Sequence, residues 1–481
     1  MIHLYRFKDE NIVLDVNSGA VHVVSDITYD ILSFFVKAFG IETDSLFSKE
    51  NALVQLQTFR KTCLNASLKE NQPFKDLCSN YSLTNLEEAL SEIEELISED
   101  MLFAEDVSEE LTNPENRGAV IKAMCLHIAH DCNMRCAYCF ADTGGFEGER
   151  SLLSFETGKA ALDFLVLQSG NRRNLEVDFF GGEPLMNFEV VKKLVAYGRE
   201  IEQKYDKNFR FTITTNGLLL DDAKTEFINK NMDNVIISID GRPEINDLMR
   251  KTTSGSGTYD LIIDKLINFV EKRDNLYYVR GTFTAKNKDF ANDVKHLVDL
   301  GFRNVSVEPV VADSKYDYAL TMEDLPILLE EYDRLSEIYL SYNKERKPFS
   351  FFHFNIDLTQ GPCVYKRAAG CGAGTEYVAI APSGDIYPCH QFVGNKDFLL
   401  GSVGEVNSGK ASLNERIIER FNHAHIYNKP SCRDCWAKYY CSGGCHANAY
   451  HENGDMLIPY KLGCELEKKR IECAIGILSK I

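Results

Sequence analysis

Six short runs rich in β-branched and aromatic residues, each followed by a stretch of helical periodicity, constrain the fold of this 481-residue chain more than any other feature. The runs are Ala123 to Ile128, Leu175 to Phe180, Phe211 to Thr215, Val235 to Ile239, Tyr277 to Thr284 and Val305 to Val311. Strands that alternate with helices pair in parallel, because each crossover helix returns the chain to the same end of the sheet. Six units fall short of the eight that close a barrel. The expected fold is therefore α/β, an open (β/α)6 partial barrel whose strands aim their C-terminal ends at one shared site.

A chain of this length divides into several units. In residues 1–105, Ile12, Leu14 and Val16 alternate, Asn17-Ser18-Gly19 supplies a turn, and Val21 and Val23 resume the alternation, which reads as a hairpin. A helix is expected through Ile31, Leu32, Phe35 and Val36. Thr84 with Glu87 makes a capping box for a second helix bearing Leu86, Ala89, Leu90, Ile93 and Leu96, before a short strand near Met101-Leu102-Phe103. The pattern is winged-helix-like; the plainer alternative is a module that only supports its neighbour. Residues 106–119, polar with Asn113-Pro114, read as a linker. The β/α body spans 120–346, and 347–481 is cysteine-rich and reads as a third domain built around metal rather than a large apolar core.

Acidic residues outnumber basic ones 72 to 53, and the net charge of −19 opposes binding to nucleic acid or anionic lipid. No signal segment and no apolar run of membrane-spanning length is evident, so no membrane partner is expected. The fifteen cysteines are clustered rather than spread, which suits metal binding in a reducing cytoplasm.

Cys132, Cys136 and Cys139 follow the first strand run on one tight loop. Three thiolates can hold an iron-sulfur cluster while leaving one iron open to a small ligand. Gly181-Gly182-Glu183-Pro184 follows the second strand, where glycine lets backbone approach a ligand and Glu183 can accept a hydrogen bond from an ammonium; a plain tight turn is the alternative. Ser238 lies on the fourth strand and Arg280 on the fifth, and Thr214-Thr215-Asn216-Gly217 ends the third. Farther on, Cys371, Gly384 and Cys389 fit C-x12-G-x4-C, and Cys432, Cys435, Cys441 and Cys445 fit CxxCxxxxxCxxxC, with Cys464 following. Such spacing serves iron-sulfur clusters or tetrahedral zinc. Cys63, Cys78, Cys125 and Cys473 read as packing residues. Tyr138, Phe140 and Trp436 flank ligand cysteines as shields, and His127, His130 and His390 read as supporting groups rather than ligands.

The CxxxCxxC loop and the GGEP turn resemble those of the radical S-adenosylmethionine (SAM) family, and the C-terminal pattern resembles its SPASM extension. The resemblance implies that Cys132, Cys136 and Cys139 bind a 4Fe-4S cluster whose open iron takes the amino acid end of SAM. Gly181, Gly182, Glu183 and Pro184 would contact the SAM amino group, and Ser238 and Arg280 its ribose and carboxylate. It implies two auxiliary 4Fe-4S clusters, one on Cys371, Cys389 and Cys445, the other on Cys432, Cys435, Cys441 and Cys464. The first set is one ligand short: either Cys363 completes it or an open iron awaits a substrate thiolate.

Residues 1–30, the loop from His127 to Glu149, and the segments Gly361 to Arg367 and Tyr387 to Phe392 look closely similar to maturases of six-cysteine (SCIFF) peptides. That resemblance implies a thioether crosslink between a cysteine sulfur and an acceptor-residue carbon in a ribosomally made cysteine-rich precursor peptide. The N-terminal module would add the precursor's leader as an extra strand, and a low-potential electron donor would be needed. Two alternatives stand beside it. Sulfatase maturases, which form formylglycine, usually carry aspartate directly after the G-x4-C cysteine, where this chain has His390; a non-catalytic iron-sulfur electron carrier is the other. Asn246 departs from the histidine common in SPASM enzymes.

Overall fold

The computed structural model describes residues 1–39, 49–64, 77, 79–106, 120–146, 148–358 and 368–481. Cys78, Cys363, the side chain of Cys63 and the expected linker beyond Asp106 lie outside the described residues.

Strands β1 (Ile2–Phe7), β2 (Glu10–Asp15) and β3 (Val21–Val24) form an antiparallel sheet in that order. The β2–β3 turn is closed by Gly19 at φ +77° and by Asp15, whose carboxylate accepts from the Ser18 amide at 2.9 Å. Helices α1 (Asp26–Phe39), α2 (Lys49–Leu64) and α3 (Leu83–Ser98) bury Ile31, Leu32, Phe35, Leu56, Leu90 and Ile93 against Ile2 and Val13 of the sheet. Two expectations change here. The α3 cap is Ser82, whose hydroxyl accepts from the Asn85 amide at 3.2 Å, while Glu87 pairs with Arg60; Ser82 is the residue with extended backbone, and an N-cap needs that. Met101 to Phe103 is a bend rather than a strand, because Asp100 and Phe103 both take positive φ. Strand β1, with no alternation of burial, carries no period that a sequence reading detects.

The body contains β4 (Ala123–Ala129), the short β5 (Met134–Cys136), β6 (Asn174–Gly181), β7 (Asn208–Thr215), β8 (Asn234–Ser238), the short β9 (Arg250–Thr252), β10 (Leu276–Phe283) and β11 (Asn304–Pro309). The six expected strands, β4, β6, β7, β8, β10 and β11, pair in parallel in chain order. Helices α4 (Phe155–Gln168), α5 (Phe188–Tyr205), α6 (Asp222–Asn231), α7 (Pro243–Met249), α8 (Tyr259–Glu271), α9 (Phe290–Asp299) and α10 (Leu325–Lys344) make the crossovers. Along the strands, residues alternate between fully buried and part-exposed: Val177, Phe179, Val235, Ile237 and Val279 lie in the core, whereas Asp178, Thr214, Ser238 and Arg280 do not. The buried set faces the helices and the other lines an open lumen.

The sheet does not stop at six strands. Beyond β11 comes β12 (Ser350–Phe351), and on the opposite edge β13 (Tyr377–Ile380) pairs in parallel with β4, followed by β14 (Asp385–Tyr387) and β15 (Gly401–Ser402). The cysteine-rich region thus covers the edge that β4 would otherwise expose. Helices α11 (Val403–Asn407), α12 (Glu415–His423), α13 (Pro430–Arg433), α14 (Lys438–Cys441) and α15 (His446–Asn453) precede the long α16 (Lys461–Leu478). Val378, Ile380, Ile386, Phe392, Phe398 and Ile475 belong to the same apolar core as the barrel strands. The expectation that this region lacks such a core is corrected: the sheet carries it in. The N-terminal sheet docks on α16, where the Tyr5 hydroxyl donates to the Glu472 carbonyl at 3.1 Å and Phe7 packs so tightly on Gly476 that a Cβ there would lie 2.2 Å from its ring. Among the described residues no helix is long and apolar enough to cross a membrane.

Candidate cysteine-lined functional site

The loop after β4 is fixed at both ends. Strand β5 pairs with β9, setting Cys136 opposite Arg250, and the Ala137 amide donates to the Met249 carbonyl at 2.8 Å. The Cys132 sulfur faces two donors, the Met134 amide at 3.4 Å and the Asn216 amide side chain at 3.6 Å. Such donors favour a thiolate. Burial, then Glu183, then the neighbouring Cys136 and Cys139 push the Cys132 thiol up to about 12, so the three sulfurs of the loop share one environment. In that environment three thiolates persist only with a cationic partner.

The glycines of the GGEP turn are required by close packing. A Cβ on Gly182 would lie 2.0 Å from the Asp131 carbonyl oxygen, and one on Gly181 2.3 Å from that of Ala129. The turn is thereby sealed onto the loop that leads into Cys132, with the Gly182 amide on Ala129 at 2.7 Å and the Glu183 amide on Asp131 at 2.9 Å. Glu183 is 0% exposed. Its carboxylate accepts from the Leu185 amide and the Thr215 hydroxyl, both at 2.9 Å, and from the Asn216 amide at 2.8 Å. These bonds make the carboxylate an internal tie between the ends of β6 and β7. Pro184, buried, opens the turn that follows. Thr215 and Asn216 are thus part of the site, and the turn-like Thr-Thr-Asn-Gly sequence was the signal for them.

Tyr138 does more than shield. Its hydroxyl donates to Asp240 at 2.8 Å and receives from the buried Arg250 guanidinium at 3.1 Å, which binds the cysteine loop to the end of β8. Asn246 is fully buried against Thr258 at 3.1 Å and Asp247 caps the Thr258 and Tyr259 amides, so this pair shapes the turn beneath Arg250. His127 and His130 pair at 3.0 Å under Phe146, and burial holds both neutral.

Ser238 and Arg280 are register partners across β8 and β10, both on the lumen face. Arg280 electrostatically reaches Asp178, Glu308 and His390. Asp178 sits on β6 with Thr214 3.4 Å away, and burial pushes its carboxyl up to about 7. A carboxyl whose folded pKa exceeds its unfolded value makes the folded state bind the extra proton, so this contribution to stability is lost as pH rises from about 4 through 7. Asp178→Asn is expected to stabilise by about 0.7 kcal/mol at pH 5 and by about 2 kcal/mol at pH 8, allowing for solvent in the lumen. Thermal unfolding of the anaerobic protein across that range checks it; an equal shift at both pH values would contradict it.

The later cysteines gather in two groups. Burial, with the thiols of Cys445 and Cys371 nearby, pushes Cys389 up to about 12. Cys441 is raised to about 12 by burial, Glu467 and the thiols of Cys464, Cys432 and Cys435, and Cys464 to about 11 by burial, Cys432 and Cys435. The groups are therefore Cys371, Cys389, Cys445 and Cys432, Cys435, Cys441, Cys464. Cys125 and Cys473 are buried, Cys125 on β4 near Cys389 and Cys473 on α16. Among the described residues no three His, Cys, Asp or Glu side chains converge tightly enough to hold a single metal ion. All-sulfur donor sets of three and four members suit iron-sulfur clusters.

The family model of the radical SAM superfamily matches residues 126–301, and that of SPASM, an iron-sulfur cluster-binding domain, matches residues 371–436. The chain carries a radical SAM domain followed by a SPASM domain. It is 25% identical over 380 residues to the radical SAM cyclopropyl synthase TigE of Paramaledivibacter caminithermalis, covering 73% of each chain. It is 25% identical over 375 residues to a cysteine-type anaerobic sulfatase-maturating enzyme of Clostridium perfringens, covering 73% of this chain and 95% of that one. Among solved structures, anSMEcpe with bound AdoMet is similar at a TM-score of 0.61 and 20% identity over 74% of this chain and 98% of that one. Streptococcus suis SuiB bound to S-adenosylmethionine is similar at 0.53 and 18% identity over 96% of this chain and 98% of that one, a span that extends into the N-terminal module.

Proposed function

We propose that this radical SAM and SPASM protein is a peptide-modifying enzyme that installs a thioether crosslink between a cysteine sulfur and an acceptor-residue carbon of a ribosomally made cysteine-rich precursor. The observation that carries the reading is the position of the three-thiol group. Tyr377 of β13 senses Cys125, Asp178 and Cys389 together, and its hydroxyl lies 3.3 Å from His390, whose ring packs 5.2 Å from Phe180 just before the GGEP turn. A sulfur set with three described members thus borders the lumen into which a substrate side chain would enter. Bound at the Cys132 loop, a 4Fe-4S cluster and SAM supply a 5'-deoxyadenosyl radical on reduction by a low-potential donor. The chain's own residues hold the reactants: Glu183, Thr215, Asn216, Tyr138 and Arg250 fix the loop, and Ser238 and Arg280 face the lumen where the nucleoside and carboxylate of SAM would lie. Two further 4Fe-4S clusters are assigned to the two later thiol groups. A reducing compartment such as the cytoplasm suits this chemistry.

Residues 1–105 would recognise the leader. Among the described residues strand β3 pairs with β2 alone, and Val23 on it is 54% exposed, which leaves a sheet edge for strand addition. SuiB has been solved bound to precursor peptide SuiA, and a PqqA peptide cyclase of Gluconobacter oxydans is among the relatives, which supports the wider class.

Formylglycine formation is the second reading. His390, where sulfatase maturases usually have aspartate, is held neutral by burial, its pKa lowered to about 4, between Phe140 and Phe180. That favours the crosslink over an oxidation needing a carboxylate there. Anaerobic incubation with SAM, reductant and a cysteine-rich precursor is expected to yield peptide lighter by two hydrogens per bond and resistant to thiol alkylation at one cysteine. Replacement of sulfur by oxygen in the product mass would overturn the crosslink in favour of formylglycine.

A further inference from the structure

Lys429 is the buried cation that the reading above leaves unexplained. It is 0% exposed, it lies against no carboxylate among the described residues, and its ammonium donates to the Gly443 carbonyl at 2.8 Å. Gly443 stands midway between Cys441 and Cys445, in a loop where Ser442, Gly443 and Gly444 all take positive φ. On the other side, Lys429 is one turn before Cys432, whose amide donates to the Lys429 carbonyl at 2.8 Å. The ammonium therefore sits where the two thiol groups meet. Cys432, Cys441 and Cys464 of the four-member group act on it, and so do Cys445 and Cys371 of the three-member group.

Burying an ammonium with one neutral acceptor costs several kcal/mol unless negative charge surrounds it. Among the described residues the only charge on offer around this ammonium is the one the two thiol groups acquire when their sulfurs are held as thiolates. Cluster-bound thiolates remove that imbalance: a 4Fe-4S core with thiolate ligands carries net negative charge, and one unit more after reduction. A cation fixed beside two such groups favours the reduced form of each, because the Coulomb term in a low-dielectric interior grows with the added charge.

We propose that Lys429 is a shared counter-ion for both auxiliary clusters, a positioning residue that raises the reduction potential of each and lessens the repulsion of one by the other. The proposal rests on the assignment of two auxiliary clusters made above. It does not depend on which crosslink the enzyme forms.

The test is EPR-monitored redox titration of the anaerobically reconstituted full chain and of Lys429→Met and Lys429→Arg variants, with iron content measured on the same samples. Iron too low for two auxiliary clusters in the parent chain would end the cluster assignment itself, a failure separate from this one. With parental iron content, Lys429→Met is expected to disfavour reduction of both auxiliary clusters at least tenfold, a shift of about 59 mV for one electron, and to leave the Cys132, Cys136, Cys139 cluster unchanged. Lys429→Arg should return both potentials toward the parent. Unmoved potentials, a shift confined to one auxiliary cluster, or a loaded arginine variant with potentials as low as those of the methionine variant would each overturn the proposal. If Lys429→Met loads poorly, restored loading in Lys429→Arg supports the need for a cation. Loss of both clusters in both variants would show that side-chain shape governs, and would also overturn it.

Discussion

Changing Cys132, Cys136 and Cys139 together to alanine is expected to abolish 5'-deoxyadenosine formation, by at least a thousandfold, while precursor binding persists. The loop has no structural load that three thiols carry. Strand β5 is held by its pairing with β9, and the Ala137 amide by the Met249 carbonyl. Its side-chain anchor is Tyr138 on Asp240 and Arg250, which the substitutions leave in place. The sulfurs are part-buried and mutually repelling once ionised, so their removal relieves rather than strands charge. Iron content should fall by about a third if three cubanes are present, and the N-terminal module, docked on α16 far along the chain, should bind peptide as before. SAM cleavage that survives the triple change would refute the assignment of this loop. Loss of peptide binding with it would mean that the loop also orders the N-terminal module.

Glu183→Ala carries the second large effect, and it separates two roles for the same carboxylate. A carboxylate that only met a ligand's ammonium would cost affinity for SAM and leave the fold untouched. The observed carboxylate instead satisfies the Leu185 amide, the Thr215 hydroxyl and the Asn216 amide in a fully buried setting. Alanine strands all three donors, at about 1–3 kcal/mol each, so a loss of about 3–9 kcal/mol is expected. Asn216 would then drift from Cys132, which weakens the first cluster as well. Denaturant unfolding and the first cluster's EPR signal together check this outcome. A variant of unchanged stability with weak SAM binding would restore the direct-contact reading.

Much of the barrel was legible because its signal is local. Each strand run needs only side chains that alternate or are continuously apolar, and each helix only its own periodicity, so Val177, Phe179, Val235, Ile237 and Val279 announce themselves. The ligand candidates were legible for the same reason, since thiolate spacing along a tight loop is a property of the loop. What escaped depended on contacts between distant segments. β1 has no period of its own and is held by β2 and α16; β13 finds β4 across some 250 residues of chain; the Ser82 cap is chosen by backbone conformation that Thr84 and Glu87 do not reveal. The turn at Met101 to Phe103 reads as a strand by composition and is a bend by its positive φ.

The sequence by itself determined the chemistry that is possible: thiols in numbers and spacings suited to clusters, on loops at the ends of parallel strands. Tertiary structure decided which groups meet. It made Gly181, Gly182 and Glu183 the seal between β6, β7 and the cysteine loop. It sorted the later cysteines into two groups and set Lys429 between them. The reason is physical: spacing fixes what a segment can bind, whereas burial, charge compensation and hydrogen-bond partners are set by segments that folding alone brings together.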